Sequence, residues 1–146
     1  MKTRLFLISS LILGLLMFSG CGSDATPMDQ LKEASKEIDN IEERSADLNS
    51  PEEAFKLLRE LNQVMKDVRG AVMGLDKEYT DMKPGSEEFN KIQQSAEFKQ
   101  KMAEFEKVNA EIDNSLATIS KNVEPYKEDK QVEDMLKKLE DILISR

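Results

Sequence analysis

The sequence contains no histidine and no tryptophan, and it has one cysteine among 146 residues. Without histidine, the chain cannot build a His-ligated haem site, the usual zinc sites or the Glu-x-x-His di-iron arrangement. A single cysteine excludes an intramolecular disulfide. The calcium-loop pattern with its central glycine is also absent. We therefore expect no catalytic residue, no metal and no dissociable cofactor, and we predict that the protein is not an enzyme.

Positive charge is scarce relative to negative charge. The chain has 21 Lys and Arg against 29 Asp and Glu, which gives a formal net charge of −8 at pH 7. Such an acidic chain repels phosphate backbones, so nucleic acid is not expected as a partner. Adjacent acids such as Glu42 and Glu43 are typical of a solvated helix face rather than of a catalytic pair.

The first 21 residues differ in composition from the rest of the chain. Lys2 and Arg4 supply positive charge before a predominantly apolar stretch at 5–18, and small residues follow. At helical rise this stretch covers about 21 Å, less than the ~30 Å of a bilayer core. The order of these features predicts a signal peptide at 1–20 rather than a permanent membrane span.

Phe18, Ser19, Gly20 and Cys21 end this segment, and the four residues resemble the lipobox of bacterial lipoprotein precursors. The resemblance implies that these residues are recognised by the lipoprotein signal peptidase and that Cys21 carries a covalent lipid at the new amino terminus. Phe18 stands where the lipobox usually has an aliphatic residue. Gly22 after the cysteine resembles the class of lipoproteins that is sorted to the outer membrane.

Lipidation at Cys21 would make this protein an exported, membrane-anchored one. Two acyl chains give stable anchoring, since each buried methylene contributes roughly 0.8 kcal/mol. The lipidated cysteine and a short tether occupy 21–26, and the tether reaches about 20 Å when extended. The expected location is the outer membrane in a cell with two membranes, and otherwise the outer face of the cell membrane.

Helix-start signals divide the remaining chain into four segments. Thr26 and Ser50 each precede a proline and acidic residues, as at a helix N-cap followed by Pro at the first helical position. Pro84, Gly85 and Ser86 predict a turn followed by another cap. Pro125 interrupts the last pattern. The predicted helices lie at about 27–48, 51–82, 86–123 and 126–145.

Apolar residues recur in these segments with the alternating spacing of three and four that indicates one buried helix face. Because this spacing is sustained, it predicts nearly parallel or antiparallel helices. The predicted fold is all-α: an antiparallel bundle of three to four helices in one domain, 27–146, built on a long helical hairpin. The predicted face comprises Leu31, Ala34, Ile38, Ile41, Ser45, Leu48, Ala54, Leu58, Leu61, Met65, Val68, Val72, Leu75, Tyr79, Met82, Phe98, Met102, Phe105, Ile112, Leu116, Ile119, Val123, Val132, Leu136, Leu139 and Leu143.

Three features inside the helices have alternative interpretations. Asn109 interrupts an apolar face, where asparagine usually fixes helix register. Gly70 and Gly74 form a GxxxG spacing, which is either an adaptable spot or a second docking surface. Several methionines, at 65, 73, 82 and 102, could ligate a soft metal, but their positions favour packing in the core.

The sequence alone favours a binding role without naming a partner. The first hypothesis is a non-enzymatic binding or scaffold module that uses the exposed end of the long hairpin to engage an envelope protein. The alternatives are an inhibitor or immunity protein for a basic envelope-acting enzyme, and a carrier of a small ligand. Self-association into a homo-oligomer stays open, because the same apolar spacing serves coiled coils between chains.

Overall fold

The computed structural model describes residues 25–80 and 85–144. The predicted signal peptide, 1–20, lies outside the described residues. The described part contains helices and no strand, so the prediction of an all-α bundle is confirmed. The helices are α1 (Pro27–Ser45), α2 (Pro51–Thr80), α3 (Glu87–Gln94), α4 (Ala96–Val123), a 3₁₀ turn (Glu124–Tyr126) and α5 (Lys130–Ile144).

The start of α1 is a complete capping box. The Thr26 hydroxyl accepts from the Asp29 backbone N–H at 3.2 Å, and the Asp29 carboxylate accepts from the Thr26 N–H at 3.2 Å. Two free N–H groups of the helix start are thereby satisfied. α1 ends at Ser45, three residues before the predicted end, because Ala46 and Asp47 form a turn.

α2 begins where the sequence predicts, with a variation of the expected cap. The Ser50 hydroxyl accepts from the Glu53 N–H at 3.3 Å. The Glu53 carboxylate accepts from the Asn49 N–H at 2.9 Å, one residue earlier than in a regular capping box. The short connection from α1 is therefore held by hydrogen bonds at the start of α2.

The predicted continuous helix at 86–123 is wrong, because Ser95 interrupts it. Ser95 has an extended backbone, with φ −65° and ψ 145°. Its hydroxyl accepts from the Phe98 N–H at 3.1 Å and donates to the Ile92 carbonyl at 2.7 Å. Ser95 thus ends α3 and caps α4. The predicted turn before α3 is present: Gly85 has φ 84°, and Ser86 accepts from the Phe89 N–H at 3.1 Å.

The last helix also starts later than predicted, at Lys130 instead of 126. Pro125 lies in the 3₁₀ turn after α4. Asp129 then acts as a cap, since its carboxylate accepts from the N–H groups of Gln131 at 2.9 Å and Val132 at 3.3 Å. A carboxylate at this place also interacts favourably with the helix dipole.

Contacts between helices fix their directions. At one end of α1, Pro27 lies against Gly74 of α2, and near the other end Arg44 pairs with Glu60. These two contacts make α1 and α2 antiparallel. In contrast, α1 and α4 run parallel, because Lys32 pairs with Glu104 and the later residue Ser45 bonds to Asn122.

α5 packs along α2 and completes the bundle. The start of α5 lies near the start of α2, where Asp129 and Gln131 share a depression with Phe55, so these two helices run parallel. The long helices α2 and α4 therefore run in opposite directions. The predicted hairpin also needs direct packing between them, whereas among the described residues the main contacts of both are with other helices. α1 packs against both of them.

One core runs through the bundle. Most predicted apolar positions are buried, but Met102 and Leu143 are each 37% exposed. Additional buried residues lie on the flank of α2 that faces α1. The buried face of α2 is therefore wider than the apolar face that the periodicity predicts. The buried residues outside the predicted face include Leu57, Val64, Ala71, Val108, Ser115 and Met135.

Candidate functional surfaces

The bundle has two ends of different character. The tether end is the end at which α1 begins, marked by Pro27 and Gly74. The distal end is formed by 45–55 and 123–131, where α1 ends and both α2 and α5 begin. α1 has 19 residues, so the two ends are about 28 Å apart along its axis.

The chain enters the bundle at a fixed position on the tether end. A Cβ placed on Gly74 would lie 3.1 Å from Pro27 Cγ, closer than ordinary side-chain contact. Gly74 therefore lets the first turn of α1 approach α2 closely. Together with the capping box at Thr26, this contact fixes the first described residues of the chain at the tether end.

Parts of α2 and α4 project past the start of α1 on this end. α2 continues from Gly74 to Thr80, six further residues, which is about 9 Å of helix. Ala96 lies eight residues before Glu104, whereas Pro27 lies five before Lys32, so α4 also begins about 5 Å beyond α1. The tip of the predicted hairpin thus lies on the tether side of the bundle.

Two of the four exposed large apolar side chains among the described residues lie toward the tether end. Met73 is 62% exposed and is the neighbour of Gly74 in the sequence. Met102 is 37% exposed and lies two residues before Glu104, which pairs with Lys32 of α1. Leu143 and Ile144, the latter 74% exposed, end α5, whose 15 residues cover about 22 Å from the distal end and stop short of the tether end. α3 buries none of its residues, and its apolar residues Phe89 and Ile92 are half-buried.

The distal end carries an open depression of about 660 Å³ between the start of α2 and the start of α5. Phe55 is half-buried within it, Lys56 pairs with Glu52 at 2.7 Å, and Arg59 is exposed. Both charge signs and one aromatic ring are therefore available to a partner. The lining residues are Ser50, Pro51, Glu52, Phe55, Lys56, Arg59, Asp129 and Gln131.

Polar side chains connect α1 to α4 along their parallel interface. Ser115 Oγ donates to Asp39 Oδ1 at 2.9 Å, and Asn122 Nδ2 donates to Ser45 Oγ at 2.8 Å. Beyond the helix ends, the Tyr126 hydroxyl donates to the Leu48 carbonyl at 2.8 Å. Directional bonds of this kind specify register, which apolar packing does less strictly.

Asn109 does not make a bond of that kind, although its place in the apolar face suggests one. It is half-buried, and its Nδ2 donates at 3.3 Å to Asp113 on the same helix. The buried amide of the bundle is instead Asn62, on the flank of α2 that also carries Phe55. Asn62 is 9% exposed, and its Nδ2 has no hydrogen-bond partner among the described residues.

Three carboxylates gather on one side of the α1–α2 interface. Partial burial raises the pKa of Glu37 above its ordinary 4.5, and the negative charges of Asp67 and Glu33 raise it further. Partial burial also raises the pKa of Asp67, although Lys66 opposes this effect. Because like charges face each other across the helices, this cluster weakens the interface at neutral pH.

The methionines do not form one group in the structure. Met65 is fully buried in the core, Met73 and Met102 are exposed on different helices, and Met82 lies outside the described residues. The described residues contain no group of three or more His, Cys, Asp or Glu that could hold a metal ion. Within the same ranges, no helix has the length and apolarity needed to cross a bilayer.

The predicted lipidation residue Cys21 and the recognition residues Phe18, Ser19 and Gly20 lie outside the described residues. Periodicity did not indicate the distal depression, because two segments about 75 residues apart form it. The paired proline and acidic signals at Ser50 and Pro125 mark both segments. Comparison of the chain with protein-family models, with curated proteins and with solved structures found no match.

Proposed function

We propose that this protein is an exported lipoprotein, anchored to a bacterial membrane through a lipid on Cys21, that acts as a non-enzymatic binding or scaffold module. The observation that supports this role is the position of the chain's entry into the bundle. Thr26 and Pro27 hold that entry at one end, only a few residues from Cys21. An anchored domain would therefore present its other end, with the open depression, to the surroundings.

The depression suits a protein segment better than a reactive substrate. Phe55 offers apolar contact area, while Arg59 and the Glu52–Lys56 pair provide charged contacts around it. Aromatic and arginine side chains carry much of the free energy of protein association. We therefore place the partner site at the distal end, rather than at the hairpin tip as the sequence suggested, since that tip lies on the tether side.

An inhibitor or immunity protein for a basic enzyme is the second candidate. It is favoured by the acidic composition, with a formal net charge of −8 before Lys2 and Arg4 are removed with the signal. Acidic surfaces speed association with basic partners, and salt screens this effect. The distal depression is open to solvent, so it does not favour the small-ligand carrier.

Photo-crosslinking in native membranes tests the binding role. A benzophenone amino acid at Gln131, which is exposed in the depression, should crosslink a discrete envelope protein. The same group at Ala110, exposed on α4, serves as the matched control. Phe55→Ala in the Gln131 form should reduce the yield. Equal labelling from both positions, or none from either, would contradict the distal site.

The anchor and the second candidate need separate measurements. Cys21→Ser should move the protein from the membrane fraction to the soluble fraction, because the acyl chains provide the attachment.

If the partner is a basic enzyme, the rate of crosslinking at Gln131 should fall as the salt concentration is raised. A rate that does not change with salt would argue against the inhibitor role.

A further inference from the structure

One face of α2 carries positive charge, although the chain as a whole is acidic. Six residues of α2 follow one another at alternating steps of four and three, which places them on one side of the helix. We name this set the basic stripe, and its members are Phe55, Arg59, Asn62, Lys66, Arg69 and Met73. The stripe starts in the distal depression and runs along α2 for about 27 Å.

The three cations of the stripe are available to a partner. Arg59, Lys66 and Arg69 are exposed, and no salt bridge among the described residues involves any of them. Lys56, on the neighbouring flank, is instead paired with Glu52 at 2.7 Å. The stripe itself contains no acidic residue. A row of unpaired cations on a helix attracts a row of negative charges.

The stripe also offers apolar contacts at its ends and a hydrogen-bond donor near its middle. Phe55 is half-buried in the depression, and Met73 is 62% exposed. Asn62, between Arg59 and Lys66, is buried, and its Nδ2 has no hydrogen-bond partner among the described residues. A buried donor without an acceptor costs free energy. An acceptor supplied by a partner would remove this cost.

We infer that the partner binds along the basic stripe through an acidic amphipathic segment, with carboxylates opposite Arg59, Lys66 and Arg69 and an apolar side chain against Phe55. This inference rests on the proposed binding role and names the chemistry of the partner. Arginine pairs with carboxylates through two parallel hydrogen bonds, which gives direction as well as attraction. A helical segment of about 18 residues matches the length of the stripe.

Carboxylates on both sides of the stripe favour a narrow segment over an extended anionic surface. Glu60 and Asp67 lie on the side toward α1, where their charges act on Arg44 and Glu37. On α5, Asp134 and Asp141 are exposed. Charges interact over about 8 Å at physiological salt. These carboxylates would therefore repel an anionic membrane, whereas a single segment meets mainly the cations.

Fluorescence anisotropy with two defined peptides tests the inference on the full-length, lipidated chain in phosphatidylcholine vesicles, with empty vesicles as the background. One labelled helical peptide is rich in glutamate and alanine and has one leucine; the other has lysine in place of each glutamate. The acidic peptide should bind more tightly. Arg59→Glu, Lys66→Glu and Arg69→Glu combined should weaken its binding by about tenfold. The same variant should bind the basic peptide more tightly, a gain that misfolding would not produce.

The matched control reverses three exposed lysines of α4. Lys99→Glu, Lys107→Glu and Lys121→Glu combined change the net charge by the same amount on a different helix. Because salt screens distant charges, this variant should keep its affinity for the acidic peptide within about twofold. An equal loss in both variants would show that total charge, rather than the stripe, controls binding, and would overturn the inference.

Crosslinking in native membranes separates this inference from the proposed function. With benzophenone at Gln131, the triple reversal in α2 should reduce the yield of the crosslinked protein. If the yield is unchanged, the binding role stands and the acidic segment is wrong; if it rises, the partner surface is basic and the inference is overturned. If neither Gln131 nor Gln63, which is exposed beside the stripe, captures a discrete protein, both proposals fail.

A lipid surface is the other outcome that the vesicles can reveal. Phosphatidylcholine vesicles that carry the protein should not associate with phosphatidylglycerol vesicles, because the carboxylates beside the stripe repel them. Association that is abolished by the triple reversal in α2 would show that anionic lipid occupies the stripe, and would overturn the inference.

Discussion

Gly70 and Gly74 lie one turn apart on α2, yet their surroundings differ. A Cβ on Gly70 would meet nothing within 4 Å, whereas a Cβ on Gly74 would lie 3.1 Å from Pro27 Cγ and 3.2 Å from Pro27 Cβ. The GxxxG spacing suggested a docking face that uses both glycines. Only Gly74 is used, and its partner is the rigid ring that starts α1.

We expect Gly70→Ala to raise the free energy of unfolding by about 1 kcal/mol, because alanine is the better helix former. Gly74→Ala gains the same propensity but pushes against Pro27, whose ring has little freedom to move. Its net effect should be smaller or destabilising. Urea unfolding of the two variants measures the difference, and equal gains would show that Pro27 yields without cost.

The free energy of unfolding should depend on pH through Glu37. Its native pKa lies above the ordinary 4.5 because of partial burial and the negative charges of Asp67 and Glu33. The native state therefore binds a proton more tightly than the unfolded state, and the charged form of Glu37 destabilises the fold at neutral pH.

Glu37→Gln should stabilise the protein at pH 7 by about 0.3 kcal/mol, since solvent screens a half-exposed charge. As the pH falls through the native pKa toward 4.5 and below, the wild type becomes protonated and regains this stability, so the advantage of the variant should disappear. Thermal unfolding at roughly pH 3.5 to 7 measures this, because the range extends from about one pH unit below the ordinary pKa of glutamate to a few units above it. Glu106→Gln, on an exposed position of α4, controls for loss of one negative charge.

Among the helices, α3 depends least on the core. Ser95 separates it from α4, it buries none of its residues, and among the described elements it packs mainly against α4. By contrast, Ile112 and Ile119 of α4 are almost completely buried. A short helix without buried residues is marginal on its own.

Hydrogen exchange should therefore separate two units along 87–123. Amides at 87–94 should exchange by local opening, much faster than those around 112–119, which should exchange only on global unfolding. The measurement is native-state exchange of the full domain followed by NMR or mass spectrometry. Equal protection across Ser95 would indicate that the two helices unfold together and that the break has no energetic consequence.

In the whole molecule, the apolar helix faces are already buried within one chain. Leu58, Met65 and Ile112 have at most 1% of their surface exposed in the single chain. A coiled coil between chains would need the same residues. The bundle therefore leaves the scattered exposed apolar residues of α2, α4 and α5, rather than the core residues, for any contact between copies.

A form of the protein that begins at residue 22 should sediment as a monomer at micromolar concentration. The physical reason is that its seams are covered internally, and scattered exposed apolar residues do not make a stable interface of standard size. Sedimentation velocity at several concentrations measures this. A stable dimer would contradict the single-chain bundle, and its loss in Met73→Glu would assign the contact to the tether end.

Local signals in the sequence determined where three of the helices start and which faces are apolar. Thr26, Ser50 and Ser86 satisfy N–H groups within three residues of themselves, so neighbouring residues alone define these starts. The break at Ser95 was missed, since a serine inside an amphipathic pattern is compatible with a continuing helix. The late start of α5 was missed because Asp129 competes with the residues after Pro125 as the cap.

Tertiary structure alone decided which helices are neighbours and which end of the bundle each surface occupies. The contacts that make α1 and α4 parallel join residues 72 to 77 positions apart, and the bond from the Tyr126 hydroxyl to the Leu48 carbonyl spans 78 positions. The repeated segment EIDN at 37–40 and 111–114 has a similar offset, 74, so its copies lie at similar heights in the bundle. Periodicity defines an apolar face but not its partner, because every apolar face can pack against any other; only side-chain fit and directional bonds choose between them.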